Sequence, residues 1–79
     1  MHQTAQIGRG ARIGREVSIG PGVVVGEDAR IGDRVWIEGQ AMIGAGTEIG
    51  DDCQLHHAVT LYPGTQLGRR LIAHAGARL

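Results

Sequence analysis

Branched aliphatic residues recur at every sixth position along most of the chain. The repeat is uninterrupted from Ile7 to Leu67. The residues in this phase are Ile7, Ile13, Ile19, Val25, Ile31, Ile37, Ile43, Ile49, Leu55, Leu61 and Leu67. Four positions after each aliphatic stands a mostly small or β-branched residue, and directly after it stands, in most cases, a glycine. The repeating unit is therefore a hexad that reads aliphatic-Gly-x-x-small-x.

This spacing predicts a stack of short strands. Two inward positions per hexad, at offsets zero and four, match neither the period of a helix nor a plain strand alternation. Each hexad is expected to be a short strand followed by a bend. Glycine after the aliphatic is expected because a Cβ would clash there or because a positive φ is needed. One hexad buries too little to be stable alone, so successive coils must stack on one another.

Two other interpretations of the pattern fail. An amphipathic helix would carry a glycine in almost every second turn, and each costs about 1 kcal/mol in a helix interior. A flexible glycine-rich linker would not keep a strict aliphatic phase. Composition agrees with narrow β-rich packing: of 79 residues, 14 are glycine, none is phenylalanine, and the only large aromatic residues are Trp36 and Tyr62.

Charge excludes several function classes. Eight basic and eight acidic residues are interspersed and give a net charge of zero. A nucleic-acid-binding face needs a basic surplus, which is missing. No apolar run reaches transmembrane length and no signal-peptide segment follows Met1, so the sequence predicts a cytoplasmic protein. The single cysteine, Cys53, cannot form an internal disulfide and is expected to be a packed core thiol.

The hexad pattern resembles that of the hexapeptide-repeat acyltransferase superfamily. The resemblance covers essentially the whole chain and implies an all-β fold, a left-handed parallel β-helix with three hexads in each triangular coil. It also implies a homotrimer. The chain is accordingly expected to form one domain over residues 1–79, with a little over four coils.

With three hexads in a coil, the residues that follow the aliphatics form three outward columns. One column is entirely glycine, and the second is glycine except for Tyr62. The third column contains His2, Gly20, Glu38, His56 and His74. His56 and His74 are its candidate catalytic residues, because in this superfamily a histidine is implied to act as general base between subunits. Two other readings remain open, namely solvated surface histidines and a zinc site shared between chains; no metal is predicted.

A further outward column contains Ser18, Trp36, Gln54 and Ile72. Outward-facing Trp36 and Ile72 favour a subunit interface over an isolated exposed aromatic residue.

The stretch from Leu61 to Ala77 goes beyond the generic repeat. Its Tyr-Pro-Gly turn at Tyr62 and its His-Ala-Gly segment at His74 are similar to the middle of UDP-3-O-acylglucosamine N-acyltransferases. His2-Gln3-Thr4-Ala5 before Ile7 is similar to the entry of lipid A acyltransferases. The resemblance implies transfer of a 3-hydroxyacyl group from acyl carrier protein to the 2-amine of a UDP-glucosamine derivative in lipid A biosynthesis, without a further cofactor.

The same resemblance implies a uridine-binding domain before Met1 and a catalytic histidine beyond Leu79. The chain is therefore expected to be a fragment of a longer enzyme, inactive by itself. Two alternatives remain: a non-catalytic solenoid, natural or designed, that serves as a structural or trimerisation module, and an acetyltransferase that uses acetyl-CoA. The regular repeat favours the first alternative, whereas the Leu61–Ala77 stretch favours the lipid A enzyme.

Overall fold

A computed structural model describes residues 3–79, and this part of the chain consists of short parallel strands joined by turns. His2, the first member of the third outward column, lies outside the described residues. Within residues 3–79, twelve two-residue strands form three four-stranded sheets. Each strand begins with an outward residue and ends with an inward one. Consecutive strands belong to different sheets, so the chain visits all three sheets before it returns to the first.

The three sheets are named here A, B and C. Sheet A contains β1 (Gln6–Ile7), β4 (Val24–Val25), β7 (Met42–Ile43) and β10 (Thr60–Leu61). Sheet B contains β2 (Arg12–Ile13), β5 (Arg30–Ile31), β8 (Glu48–Ile49) and β11 (Gln66–Leu67). Sheet C contains β3 (Ser18–Ile19), β6 (Trp36–Ile37), β9 (Gln54–Leu55) and β12 (Ile72–Ala73).

The register of these sheets places each residue directly above the residue one coil earlier. Gln6 pairs with Val24, Arg12 with Arg30, and Ser18 with Trp36. Each coil therefore uses three hexads, and a bridge between Thr60 and Arg78 begins a further coil after the fourth. The predicted fold, a left-handed parallel β-helix of a little over four coils, is confirmed.

The three sheets form the sides of a triangular prism. The core is a column of inward aliphatic side chains in the middle of this prism. Ile37, Ile43, Leu55 and Leu61 are among its largest fully buried side chains. Towards the ends burial decreases: Ile13 and Leu67 are partly buried and Ile7 is 38% exposed, because a coil stacks on only one side of each. The second inward position of the hexads is also buried, with Val23, Ala29, Val35, Ala41, Thr47, Cys53 and Val59 all at 0–1% exposure.

Glycine after the aliphatic is required by close approach of the next coil. A Cβ added to Gly26 would lie 2.5 Å from the backbone nitrogen of Ala45, and one added to Gly44 would lie 2.5 Å from the nitrogen of Pro63. Neither glycine has a positive φ. Of the two reasons given for this glycine, the clash of a Cβ is the correct one, and the positive φ occurs elsewhere.

The residues with a positive φ stand two positions after this glycine, which is three positions after each inward aliphatic residue. Five of these residues are glycines and seven are not: Glu16, Asp28, Arg34, Gln40, Asp52, Ala58 and Arg70. A positive φ at the third residue of a four-residue turn is the mark of a type II turn, which explains Pro21-Gly22 and Pro63-Gly64 at two corners. This conformation lets the turn amide bond to the neighbouring coil, as when Ala58 N donates to Gly39 O at 3.1 Å.

Acidic side chains at the corner between sheets B and C add contacts between coils. Asp33 Oδ1 accepts a hydrogen bond from Arg15 N, and Asp51 Oδ1 accepts one from Asp33 N. One coil up from Arg34, Asp52 pairs with its guanidinium at 2.8 Å. This hydrogen bond is the main reason that the pKa of Asp52 lies below its usual range and that of Arg34 above it.

Candidate functional site

The corner between sheets C and A differs from the other two because large polar side chains replace its glycines. The residues after the inward aliphatic at this corner are Gly20, Glu38, His56 and His74. A Cβ on Gly20 would lie 2.8 Å from Gly39 N, slightly farther than the 2.5–2.6 Å found in the column of Gly8, Gly26 and Gly44. We define the CA cluster as Trp36, Glu38, His56, His57 and His74.

Glu38 is the acceptor at the centre of the CA cluster. Its Oε1 lies 3.1 Å from Nδ1 of His56, one coil up, and accepts a hydrogen bond of 3.0 Å from the backbone N–H of His57. The carboxylate therefore fixes both the ring and the turn above it. The side chains of His56 and Glu38 are about one-third exposed, at 30% and 34%, so the pair remains open to solvent on one side.

This contact assigns a tautomer to His56. A carboxylate oxygen accepts a hydrogen bond, so Nδ1 of the neutral ring carries the proton and Nε2 keeps its lone pair. Within residues 3–79, no protein atom hydrogen-bonds to Nε2 of His56. A carboxylate behind Nδ1 and a free lone pair at Nε2 form the arrangement in which a histidine accepts a proton from a nucleophile.

Two aromatic rings hold the imidazole of His56 from different sides. His74, one coil up, stacks nearly parallel to it, with ring centroids 6.2 Å apart and planes 9° apart. Trp36 meets it edge-on, with centroids 5.9 Å apart and planes at 65°. The ring is thus held by a hydrogen bond and two ring contacts, which restricts its rotation.

Metal binding requires three or more ligands that converge on a point. No group of three side chains of His, Cys, Asp or Glu does so within residues 3–79 of one chain. The hypothesis of a zinc site would therefore need ligands from a second chain.

The six-residue repeat of this chain also occurs in a known protein family. The chain matches the profile of the family described as bacterial transferase hexapeptide (six repeats) over residues 4–39 and 28–62. The chain belongs to this bacterial hexapeptide transferase family. No curated protein shows significant similarity to the chain.

Membership of the hexapeptide transferase family supports a transferase-like or solenoid-module role. The part of the chain that the structure describes contains no helix long and apolar enough to cross a membrane.

The predicted outward residues of sheet C and the predicted buried cysteine are found in those positions. Trp36 and Ile72 point outward from sheet C, at 44% and 53% exposure, with Gln54 between them. Cys53 is fully buried, and its thiol donates to the carbonyl oxygen of Gly68 at 3.1 Å.

Two features of the CA cluster were not predicted from the sequence. The edge contact of Trp36 with His56 joins two columns that the sequence treats separately, and the backbone N–H of His57 supplies the second donor to Glu38. Because Trp36 stands two residues before Glu38, at the end of the preceding hexad, their proximity was detectable. The direction of the rings was not, since it depends on side-chain rotamers.

Proposed function

We propose that this hexapeptide transferase catalyses acyl transfer at the CA cluster, with His56 as general base and Glu38 as its positioning residue. The observation that supports this proposal is the contact of 3.1 Å between Nδ1 of His56 and Oε1 of Glu38. It leaves Nε2 of His56 without a hydrogen-bond partner among residues 3–79, on a ring that one hydrogen bond and two ring contacts hold. Membership of a transferase family supports the proposal.

The chemical step needs one proton acceptor. The nitrogen of an acceptor amine attacks the carbonyl carbon of a thioester while Nε2 of His56 removes a proton from that nitrogen. Collapse of the tetrahedral intermediate breaks the carbon–sulfur bond, and the imidazolium returns the proton to the departing sulfur. The products are an amide and a free thiol, and His56 ends neutral, as it began.

We propose for the substrates a 3-hydroxyacyl group on acyl carrier protein and the 2-amine of a UDP-glucosamine derivative. This part rests on the similarity of Leu61–Ala77 to the N-acyltransferases of lipid A biosynthesis. The proposal of His56 as base departs from that resemblance, which implies a catalytic histidine beyond Leu79 and a chain that is inactive by itself. We further propose a homotrimer, which the exposed Trp36 and Ile72 on sheet C support.

The test is an acyl-transfer assay with the full chain, purified 3-hydroxyacyl-carrier protein and a UDP-3-O-acylglucosamine, read as amide product by mass spectrometry. Since a general base contributes about a hundredfold to ten-thousandfold, His56→Ala should lower kcat at least a hundredfold, and added imidazole should restore part of the activity. Glu38→Gln should lower kcat with little change in KM. His57→Gln is the matched control, because its backbone N–H, not its ring, contacts Glu38.

Wild-type turnover that His56→Ala leaves unchanged would contradict the proposed base. Turnover with acetyl-CoA, but not with the carrier-protein thioester, would replace the proposed donor and favour a small-molecule acetyltransferase. His74→Ala should lower kcat much less than His56→Ala, because its ring only stacks on His56 and does not contact Glu38.

A non-catalytic trimerisation module is the second candidate, favoured by the regularity of the register through all four coils. It predicts no turnover with either donor, together with a trimer by sedimentation. Loss of the trimer in Trp36→Ser would then locate the interface on sheet C.

A further inference from the structure

One of the four residues that replace glycine after the inward aliphatic lies outside the CA cluster. Tyr62 continues the column of Gly8, Gly26 and Gly44, at the corner between sheets A and B. Its side chain is 53% exposed, so core packing does not account for a large aromatic residue here. The surface around it therefore needs a separate explanation.

Tyr62 stands beside a hollow of about 400 Å³ on sheet A. Its lining includes Met42, Gly44, Thr60, Tyr62 and Arg78. Its shape follows from the register, because Thr60, a short residue, lies between the longer Met42 and Arg78 in the outward column. Met42 and Arg78 are two inter-strand spacings apart, roughly 9–10 Å, which leaves room for a chain or a ring between them.

The lining is apolar along most of its area and carries one positive charge. Met42, 55% exposed, and Tyr62 supply apolar walls that face solvent, and Gly44 adds no side chain. Arg78 lies at one end, and no carboxylate of residues 3–79 is within ion-pair distance of it. An apolar wall beside an unpaired guanidinium matches a ligand with an apolar body and one anionic group.

We propose that this hollow binds an amphiphilic anion, namely an alkyl chain or ring that bears a carboxylate or a phosphate. The apolar part lies against Met42 and Tyr62 over the floor formed by Thr60. The anionic group pairs with the guanidinium of Arg78, which accommodates two oxygens of either headgroup. The site lies on another part of the prism from the CA cluster and does not depend on the proposed acyl transfer.

The test is isothermal titration calorimetry of the full chain with octanoate, octyl phosphate and 1-octanol. Both anions should bind more tightly than the alcohol, and their relative affinities identify the preferred headgroup. Arg78→Gln should weaken binding of the anions by roughly tenfold or more and leave octanol unchanged. Tyr62→Gly should weaken all three ligands, and Tyr62→Phe should retain them.

A matched control is available on another face. Arg30→Gln removes an outward arginine from sheet B and should not alter binding. Tyr62→Gly restores the residue found in the coils below, so circular dichroism of this variant should match that of the wild type.

Three outcomes would overturn the proposal. One is equal binding by wild type, Tyr62→Gly and Arg78→Gln. Another is equal affinity for octanol and the two anions. The third is a fall in sedimentation mass in Tyr62→Gly without a change in affinity, which would show that a second copy of the chain covers the hollow. Binding that persists in Glu38→Gln would separate this site from the proposed catalytic one.

Discussion

Replacement of Gly26 by alanine tests the close stacking of coils directly. The added Cβ would lie 2.5 Å from Ala45 N and 2.7 Å from Gly44 C, about 0.9 Å short of the 3.4 Å at which ordinary contact begins. All the atoms it meets are backbone atoms, so no side-chain rotation relieves the clash. The two coils would have to separate locally.

The cost of this separation follows from the hydrogen bonds that cross it. Gly26 N donates to Ile43 O at 2.7 Å, and a movement of 0.9 Å would lengthen this contact beyond the range of a hydrogen bond. Overpacking of this kind costs about 1–3 kcal/mol, which exceeds the gain of about 0.4–1 kcal/mol from a less flexible unfolded chain. Gly26→Ala should therefore lower the unfolding temperature by roughly 5–15 °C.

Gly68 provides the matched control within the same chain. It also follows an inward aliphatic, its φ is not positive, and an added Cβ meets nothing within 4 Å. Only the effect on the unfolded chain remains, so Gly68→Ala should be neutral or stabilising by up to about 1 kcal/mol. The assay is thermal and urea unfolding followed by far-UV circular dichroism. Equal midpoints for the two variants, or a more stable Gly26→Ala, would refute this account of the glycine column.

Three further predictions concern single positions. Ala58 has a φ of 61°, where alanine is disfavoured by about 1–2 kcal/mol, so Ala58→Gly should raise the urea midpoint; a lower midpoint would contradict the strain. Thr47 is fully buried and donates at 3.3 Å to the carbonyl of Tyr62, which keeps two other donors, so Thr47→Val should unfold at an equal or higher temperature. Arg34 lowers the pKa of Asp52, so their pairing stabilises the fold above about pH 4 and is lost as the pH falls through the lowered pKa. Arg34→Gln should therefore reduce the unfolding free energy slightly at pH 7 and low salt but not at pH 2, and an equal loss at both would argue against the ion pair.

The sequence alone determined the solenoid and the inward and outward sides of every hexad. It did so because the inward positions are nearly all aliphatic or small, and because every hexad buries side chains at the same two positions. Resemblance to the superfamily then supplied the number of hexads in a coil. That number placed Glu38, His56 and His74 in one column, as the register confirms.

Only the tertiary structure decided which atoms in a column meet. The hydrogen bond between Glu38 and His56 and the ring edge of Trp36 depend on side-chain rotamers across coils. The hollow beside Tyr62 depends on the register that places Thr60 between Met42 and Arg78. The position of positive φ was also hidden, since seven of its twelve residues are not glycine and the sequence marks it only weakly. A six-residue period determines whether a side chain points into the core or towards solvent. Contacts between coils depend instead on the stacking distance and on the rotamer of each side chain.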